Sequence, residues 1–249
     1  VEVGHGLVAR GALAQADLAP AIFDLVHLSH EIELAEAAEG RGLPPGSPQA
    51  TAPEVARTDG GLVVTVRSGT PTAHVVDRFF VRRSAVDGGL PVAAARPDRP
   101  DVVPTPVRAL GSLTVTAPLQ LEAFATVSGD ANPIHRSDVL ARFVGLPGRI
   151  VHGMWTSAAA TRAVLETVAD GDGERLREWQ IDFVAPVLPG QDVTFTVTRT
   201  GMRAGAHVVA VEAATSDGVV AMGSGVVAGP RTMYVFPGQG IQSQGMGMD

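Results

Sequence analysis

The sequence predicts an α+β fold built from two halves, each with a helix packed against an antiparallel sheet. Three observations predict it. Residues 107–229, the second half, contain in this order a helix, a loop, a helix of small residues and four β runs that suggest a meander. Residues 1–85, the first half, show a helix-like segment and then a β-hairpin, a partial copy of that order. Residues 86–106 are rich in Pro and poor in packing residues, which predicts a linker between the halves.

The first half is predicted to begin with a helix over residues 18–38. Its apolar residues, which include Ile22 and Ile32, stand near helical spacing. The tract GRGLPPGSPQATAPE follows, and its Gly, Pro, Ser and Ala predict a loop or a disordered segment. Two apolar, β-branched runs joined by SGTPT then predict an antiparallel hairpin.

The second half is predicted to start with a short strand at Leu113–Thr116 and an amphipathic helix at Pro118–Val127. The stretch GDANPIH is predicted to be a loop, because the residue before a proline resists helix. A short helix over residues 137–143 follows, with Ser137 as its cap, and then a helix of small residues over 153–169. The closing β runs are WQIDFVAPVL, DVTFTVTRTG, AHVVAVEAATS and VVAMGSGVVA.

Composition excludes several classes of function. The formal charge of −7 argues against a nucleic-acid surface, which needs a basic stripe. The chain has no Cys and no Lys, which excludes disulfides, thiolate chemistry and Schiff bases. No apolar run reaches the roughly 18 residues that a membrane span needs. We therefore expect no nucleic-acid or membrane partner.

Two short motifs carry the chemistry of the second half. In GDANPIH, Asp130 and His135 flank a stiff Asn-Pro turn, so a carboxyl group and an imidazole can act as acid and base on one substrate. In IVHGMW, Gly153 stands at a predicted helix start, where its N–H is an unpaired donor at the positive end of the helix dipole. Such a donor can stabilise an enolate oxyanion, an effect of about 3–4 kcal/mol elsewhere. Elimination of water from a 3-hydroxyacyl thioester requires these three groups.

The two motifs resemble the pair that marks the MaoC-like, or (R)-specific enoyl hydratase, family of hotdog folds. The resemblance implies a double hotdog, in which each half is a long helix wrapped by an antiparallel sheet. It also implies that Asp130 and His135 are the catalytic pair and that the Gly153 amide binds the thioester oxygen. Asn132 and His152 of the same motifs, and Thr161, which resembles a family position with a hydroxyl near the site, are expected to bind the substrate together with Gly153. The matching residues are Asp130, Asn132, Pro133, His135, His152, Gly153 and Met154.

Further segments resemble the dehydratase region of a type I fatty acid synthase, of a bacterial, actinobacterial-like kind. These are LVHLS near residue 25, RFFVRR at 78–83 and the tail YVFPGQGIQSQGMGMD, which is similar to the start of the malonyl/palmitoyl transferase that follows. The chain opens with VEVGHGLVAR, without an initiator Met, and ends within the GQG motif, so both ends are interpreted as cut from something longer. The implied organisation is a partial, non-catalytic hotdog half over 1–85, a linker over 86–106, a catalytic half over 107–229 and the transferase start over 230–249.

The resemblance implies a reaction and its partners. The substrate is a (3R)-3-hydroxyacyl group carried on the phosphopantetheine of acyl carrier protein, and the product is the trans-2-enoyl thioester. We expect His135 to take the C2 proton and Asp130, with its pKa raised by burial, to protonate the leaving hydroxyl. The reverse assignment, or a water shared by both, stays open. No separate cofactor is expected, the location is cytoplasmic, and the neighbouring synthase domains form a large homo-oligomeric complex.

Other interpretations compete with this one. Asp130, His135 and His152 could form a two-His, one-carboxylate metal site, but their spacing is unusual for metal ligands and no metal is predicted. His27, His30 and His74 are interpreted as structural, and His152 as mainly structural. Two alternatives for the whole chain remain: a non-catalytic acyl-binding or structural hotdog, and a stand-alone (R)-enoyl-CoA hydratase.

Overall fold

The computed structural model describes residues 25–34, 49–58, 60–82 and 101–230. These residues form ten strands and three α-helices, which confirms the α+β class. In chain order they are β1 (Leu25–Leu34), β2 (Gln49–Ala50), β3 (Glu54–Thr58), β4 (Gly61–Thr70), β5 (Ala73–Arg82), β6 (Val103–Thr116), α1 (Glu122–Ser128), α2 (Asp138–Phe143), α3 (Gly153–Val168), β7 (Leu176–Phe183), β8 (Asp192–Arg203), β9 (Ala206–Thr215) and β10 (Gly218–Val227).

One antiparallel sheet runs through both halves. Its strand order is β2-β4-β5-β1-β7-β10-β9-β8-β6, and β3 pairs with β4 beside this path. The predicted hairpin is β4 and β5. Of the predicted meander of β7, β8, β9 and β10, the strands β8, β9 and β10 pair in chain order. The placement of β7 in the meander is wrong, because β7 pairs with β1 and β10 and not with β8. The two halves meet where β1 pairs with β7, from Ser29↔Asp182 to Glu33↔Glu178. The halves are therefore joined by backbone hydrogen bonds along a shared sheet.

The predicted helix over residues 18–38 is wrong where the structure describes it, because residues 25–34 form strand β1. A short run with Leu, Val and Ile fits a helix or a strand about equally well. Pairing decides between them: β1 lies between β5 and β7, and both of its edges are hydrogen-bonded. The described residues of the first half contain no helix, and the remainder of the predicted one lies outside them.

Two proline-containing segments also differ from expectation. The predicted loop GRGLPPGSPQATAPE ends in the short strand β2 and the first residue of β3, both paired with β4. The predicted short strand at Leu113–Thr116 is the end of β6, which begins at Val103 and so includes the end of the predicted linker. Pro104 is tolerated because β6 is an edge strand whose register shifts between Pro104 and Arg108. The rest of the linker, up to residue 100, lies outside the described residues.

Helix α3 is the centre of the second half and begins at Gly153, within the second motif. Its alanines Ala159, Ala160 and Ala163 are buried and allow the helix to lie close against the sheet. The indole N–H of Trp179, on β7, donates a hydrogen bond of 3.0 Å to the hydroxyl of Ser157. This contact fixes the helix against the strand that also pairs with the first half. Within the described residues, no helix combines the length and apolarity that crossing a membrane requires.

Candidate active site

The GDANPIH motif is a tight loop that follows α1. Helix α1 ends in Gly129, whose φ of 70° is left-handed and suits glycine. The Asn132 side chain accepts a 3.3 Å hydrogen bond from the Ile134 N–H, which starts a 3-10 turn at Pro133–His135. The Asn132 N–H donates a 3.1 Å hydrogen bond to Asp130 Oδ1. Asn132 therefore holds both the loop and one oxygen of the Asp130 carboxylate.

The His135 ring points its Nε2 toward Asp130, and a backbone contact at Nδ1 fixes which nitrogen carries the hydrogen. The ring atom Nδ1 lies 2.8 Å from the carbonyl oxygen of Ile150, and a carbonyl can only accept, so Nδ1 carries the hydrogen. In the neutral ring Nε2 then carries the lone pair, and it lies 3.6 Å from Asp130 Oδ2. The backbone of the segment before α3 thus sets the tautomer that a general base at Nε2 requires.

The two partners differ in solvent exposure. The His135 side chain is 7% exposed, whereas the Asp130 side chain is 41% exposed. The sequence-based expectation that Asp130 is buried is therefore wrong in this structure. The carboxylate of Asp130 thus reaches the surface, whereas the imidazole of His135 is enclosed by protein.

His152 joins the second motif to the first. Its Nε2–H donates a 3.1 Å hydrogen bond to the backbone carbonyl of Asp130. Its ring stacks on the ring of His135, with centroids 3.8 Å apart and an interplanar angle of 23°. The ring of Phe124, on α1, also packs against the His152 ring, at 4.9 Å between centroids. His152 is 2% exposed, and its contacts fix the position of the loop relative to the start of α3.

Gly153 is the first residue of α3, directly after the N-cap His152. Its N–H has no helical carbonyl one turn earlier to donate to, and it stands at the positive end of the helix dipole. A Cβ at Gly153 would lie 3.2 Å from the ring of Phe183, at the end of β7. The backbone at Gly153 is thus closely covered by an aromatic ring that the sequence analysis did not single out. In the sequence it stands within the predicted β run WQIDFVAPVL, which marks it only as a strand residue.

The predicted site residues therefore gather at one place, with one exception. Asp130, His135 and His152 bring a carboxylate oxygen and ring nitrogens within 4.8 Å of one another, which is also close enough for a metal ion. Thr161 is partly buried on α3, eight residues after Gly153, which is about 12 Å along the helix axis. That Thr161 lies near the bound substrate, and that the site works without a metal ion, both remain predictions.

Comparison with known proteins agrees with the resemblance seen in the motifs. Residues 100–220 match the family model described as MaoC like domain. A fatty acid synthase beta subunit TOXC of Cochliobolus carbonum is 43% identical over 141 residues, which are 55% of this chain and 7% of that protein. The fatty acid synthase subunit beta of Schizosaccharomyces pombe is 46% identical over 131 residues, which are 51% of this chain and 6% of that protein. The chain thus spans less than a tenth of these relatives.

A solved structure shows the same fold over most of the chain. The MaoC-like dehydratase from Phytophthora capsici has a TM-score of 0.59 and 19% identity, with 83% of this chain and 70% of that chain covered. At this identity the likeness concerns the fold alone, and it confirms the predicted hotdog architecture. The two synthase subunits above are fungal, so the predicted bacterial kind of synthase finds no support in them. The family match supports the predicted class of enzyme, a hydro-lyase.

Proposed function

We propose that this chain, whose residues 100–220 match the MaoC like domain, dehydrates (3R)-3-hydroxyacyl thioesters to trans-2-enoyl thioesters in fatty acid synthesis. The observation that carries the proposal is the Asp130–His135 pair, in which the Ile150 carbonyl fixes the ring tautomer and Nε2 faces the carboxylate at 3.6 Å. The match to fatty acid synthase beta subunits supports the pathway. Each residue of the site then has one role in an elimination of water.

His135 acts as the base. Its Nε2 lone pair takes the C2 proton of the substrate, which is acidified by the neighbouring thioester carbonyl. The Nδ1–H bond to Ile150 becomes stronger as the ring gains positive charge, so the imidazolium is stabilised where it forms. The 3.6 Å separation from Asp130 is longer than a good hydrogen bond, and such catalytic contacts often tighten when substrate binds.

Gly153 stabilises the enolate oxygen, and Asp130 completes the elimination. As the C2–H bond breaks, negative charge moves to the thioester oxygen, where the N–H at the start of α3 can donate to it. The C2–C3 double bond forms as the C3–O bond breaks, and Asp130 gives the departing hydroxyl the proton that makes it water. Asp130 ends as a carboxylate and His135 as an imidazolium, and one proton transfer between them restores the starting state. The reverse assignment of acid and base uses the same two residues.

The partners belong to the same proposal. The acyl group is carried on the phosphopantetheine of acyl carrier protein, without a further cofactor, and the first half completes the tunnel for the acyl chain without catalysing. The domain works beside other synthase domains in a large homo-oligomeric complex in the cytoplasm. Residues 230–249 begin the malonyl/palmitoyl transferase domain. The resemblance of their sequence supports this last assignment, and nearly all of them lie outside the described residues.

Replacing Gly153 with alanine is expected to lower the rate of the reaction by at least tenfold while the protein still folds. The new methyl group would lie 3.2 Å from the Phe183 ring, so the start of α3 or the ring must shift and the oxyanion donor moves with it. Steady-state kinetics on a crotonyl thioester measure the loss. Gly173→Ala is the matched control, because its methyl group would meet only Leu165 at 3.9 Å. Equal rates for both variants would remove Gly153 from the mechanism.

A thioester assay tests the function itself. The purified chain is mixed with crotonyl thioesters of CoA and of an acyl carrier protein, and loss of the conjugated enoyl absorbance reports hydration, the reverse reaction. A preference for the carrier-bound substrate is expected. A preference for the CoA substrate would support the stand-alone hydratase instead. A folded chain without activity on either would support the acyl-binding or structural hotdog and would contradict the proposal.

A further inference from the structure

A second cluster of titratable side chains lies in the first half, apart from Asp130 and His135. Asp77 Oδ1 lies 2.8 Å from His30 Nδ1 and 3.1 Å from His27 Nε2. His30 is 3% exposed and Asp77 is 5% exposed, while the His27 side chain is 19% exposed. The three ligand atoms lie within 4.8 Å of one another. The proposed dehydration uses none of these residues.

A β-bulge places the two histidines on the same side of the sheet. Residues 27 and 30 are three apart, so a regular strand would point their side chains to opposite faces. The register between β1 and β5 shifts between His27 and Ser29, where one extra residue is inserted. After the shift, His30 stands directly opposite Asp77, and before it His27 stands opposite Phe79, two residues from Asp77 on β5. The bulge therefore turns both rings toward one carboxylate, as bulges beside functional sites do.

The cluster also has the ligand types that a cation site needs. Asp77 contributes a carboxyl oxygen that is buried against the two ring nitrogens. A buried carboxylate requires strong donors or a cation beside it. Two neutral imidazoles and one carboxylate are a common ligand set for zinc and related divalent ions.

We propose that His27, His30 and Asp77 bind a divalent transition-metal ion of the zinc class, through His27 Nε2, His30 Nδ1 and Asp77 Oδ1. Tetrahedral bonds of about 2.0–2.2 Å place neighbouring ligand atoms about 3.3–3.6 Å apart. The two ring nitrogens, at 2.8 and 3.1 Å from Asp77 Oδ1, therefore need to move apart from it by less than about 1 Å when the ion binds. Each imidazole binds in the tautomer that carries its hydrogen on the other ring nitrogen. Solvent supplies the remaining position, beside the partly exposed His27. This role replaces the purely structural one expected for His27 and His30 from the sequence.

The position of this metal site indicates what the ion does. The His27 ring packs on the ring of Phe79, at 4.6 Å between centroids, and on that of Phe183, at 5.2 Å. Phe183 in turn covers Gly153. The ion therefore fixes β1 to β5 behind the aromatic wall of the candidate active site, and it stabilises the fold without taking part in the reaction. The inference is independent of the proposed dehydratase function.

Cobalt(II) titration of the metal-stripped chain, prepared without a histidine tag, tests the proposal. Visible absorption of Co²⁺ bound to nitrogen and oxygen ligands reports coordination without any activity measurement. We expect one equivalent to bind, displaceable by Zn²⁺, and the affinity to fall at least tenfold in His27→Ala and in His30→Ala. His74→Ala is the matched control, because this exposed histidine stands on the same strand as Asp77 and should leave the affinity unchanged.

His135→Ala separates the two histidine clusters. Binding that is lost in His135→Ala but kept in His27→Ala would place the ion at the candidate active site and overturn the proposal. Absence of a visible spectrum in the folded parent would overturn it too, leaving a hydrogen-bonded triad without metal. Should His30→Ala fail to fold, His27→Ala decides alone, since His27 is the more exposed ligand.

Discussion

His135→Ala and Asp130→Asn are each expected to lower the hydration rate of a crotonyl thioester by at least about 100-fold. The first removes the nitrogen that faces the substrate proton, and the Ile150 carbonyl loses its partner. The second keeps the size of the side chain and its contact with the Asn132 N–H but removes the transferable proton. Because the two residues act on one substrate as a unit, the double variant should be little slower than either single variant.

Loss of enoyl absorbance measures these rates, with circular dichroism to show that each variant is folded. His74→Ala and Asp217→Asn, both at exposed positions, are the controls for the loss of a histidine and of a carboxylate. Activity that survives within tenfold of the parent in both site variants would contradict the assignment of the pair. A large loss in only one would leave that residue as the single acid–base group, working through water.

Trp179→Ala is expected to lower the free energy of unfolding by about 3–5 kcal/mol. Trp179 is 2% exposed, lies in the core with α3 and donates its indole N–H to Ser157, which is itself fully buried. The truncation leaves a cavity and a buried hydroxyl without its donor. Trp179→Phe should lower the free energy of unfolding by less, because it keeps most of the packing and removes only the hydrogen bond.

Urea unfolding followed by far-ultraviolet circular dichroism measures this difference, since removal of one of two tryptophans alters the fluorescence signal. Trp155→Ala serves as the comparison, because Trp155 is only partly buried against the same core and should lose less stability. A loss below about 1 kcal/mol in Trp179→Ala would show that this contact does not hold α3 to the sheet.

The sequence predicted those parts of the fold whose determinants are local. The small-residue helix over 153–169 and the meander of β8, β9 and β10 follow from periodicity and from glycine at the turns. Ser137 caps α2 as expected, accepting from the Leu140 N–H at 3.3 Å. Strand β1 could not be predicted in this way, because both strands that pair with it are distant in sequence. Tertiary pairing overrode the weak helical spacing of its apolar residues.

In the candidate site, too, the features with local determinants could be predicted and those set by distant contacts could not. The turn chemistry around Asn132 was visible in the sequence, and the two motifs together indicated a shared site. Their actual contact, the stacking of His135 on His152, depends on how α3 approaches the loop. The exposure of Asp130 and the cover that Phe183 gives Gly153 depend on packing between distant segments. The bulge in β1 leaves no pattern in the sequence at all, so the cluster around Asp77 could not be predicted from it.

The position of β1 between β5 and β7 has a consequence for the chain as it leaves the ribosome. One edge of β1 can pair with β5 early, but its other partner, β7, is about 150 residues further along. At synthesis rates of about 5–20 residues per second, that edge stays unpaired for about 8 to 30 seconds. An unpaired edge of this kind is a template for association with other chains. We expect nascent chains halted before β7 to aggregate or to need a chaperone. Chains extended past β10, which pairs with the other edge of β7, should complete the sheet and become protease-resistant.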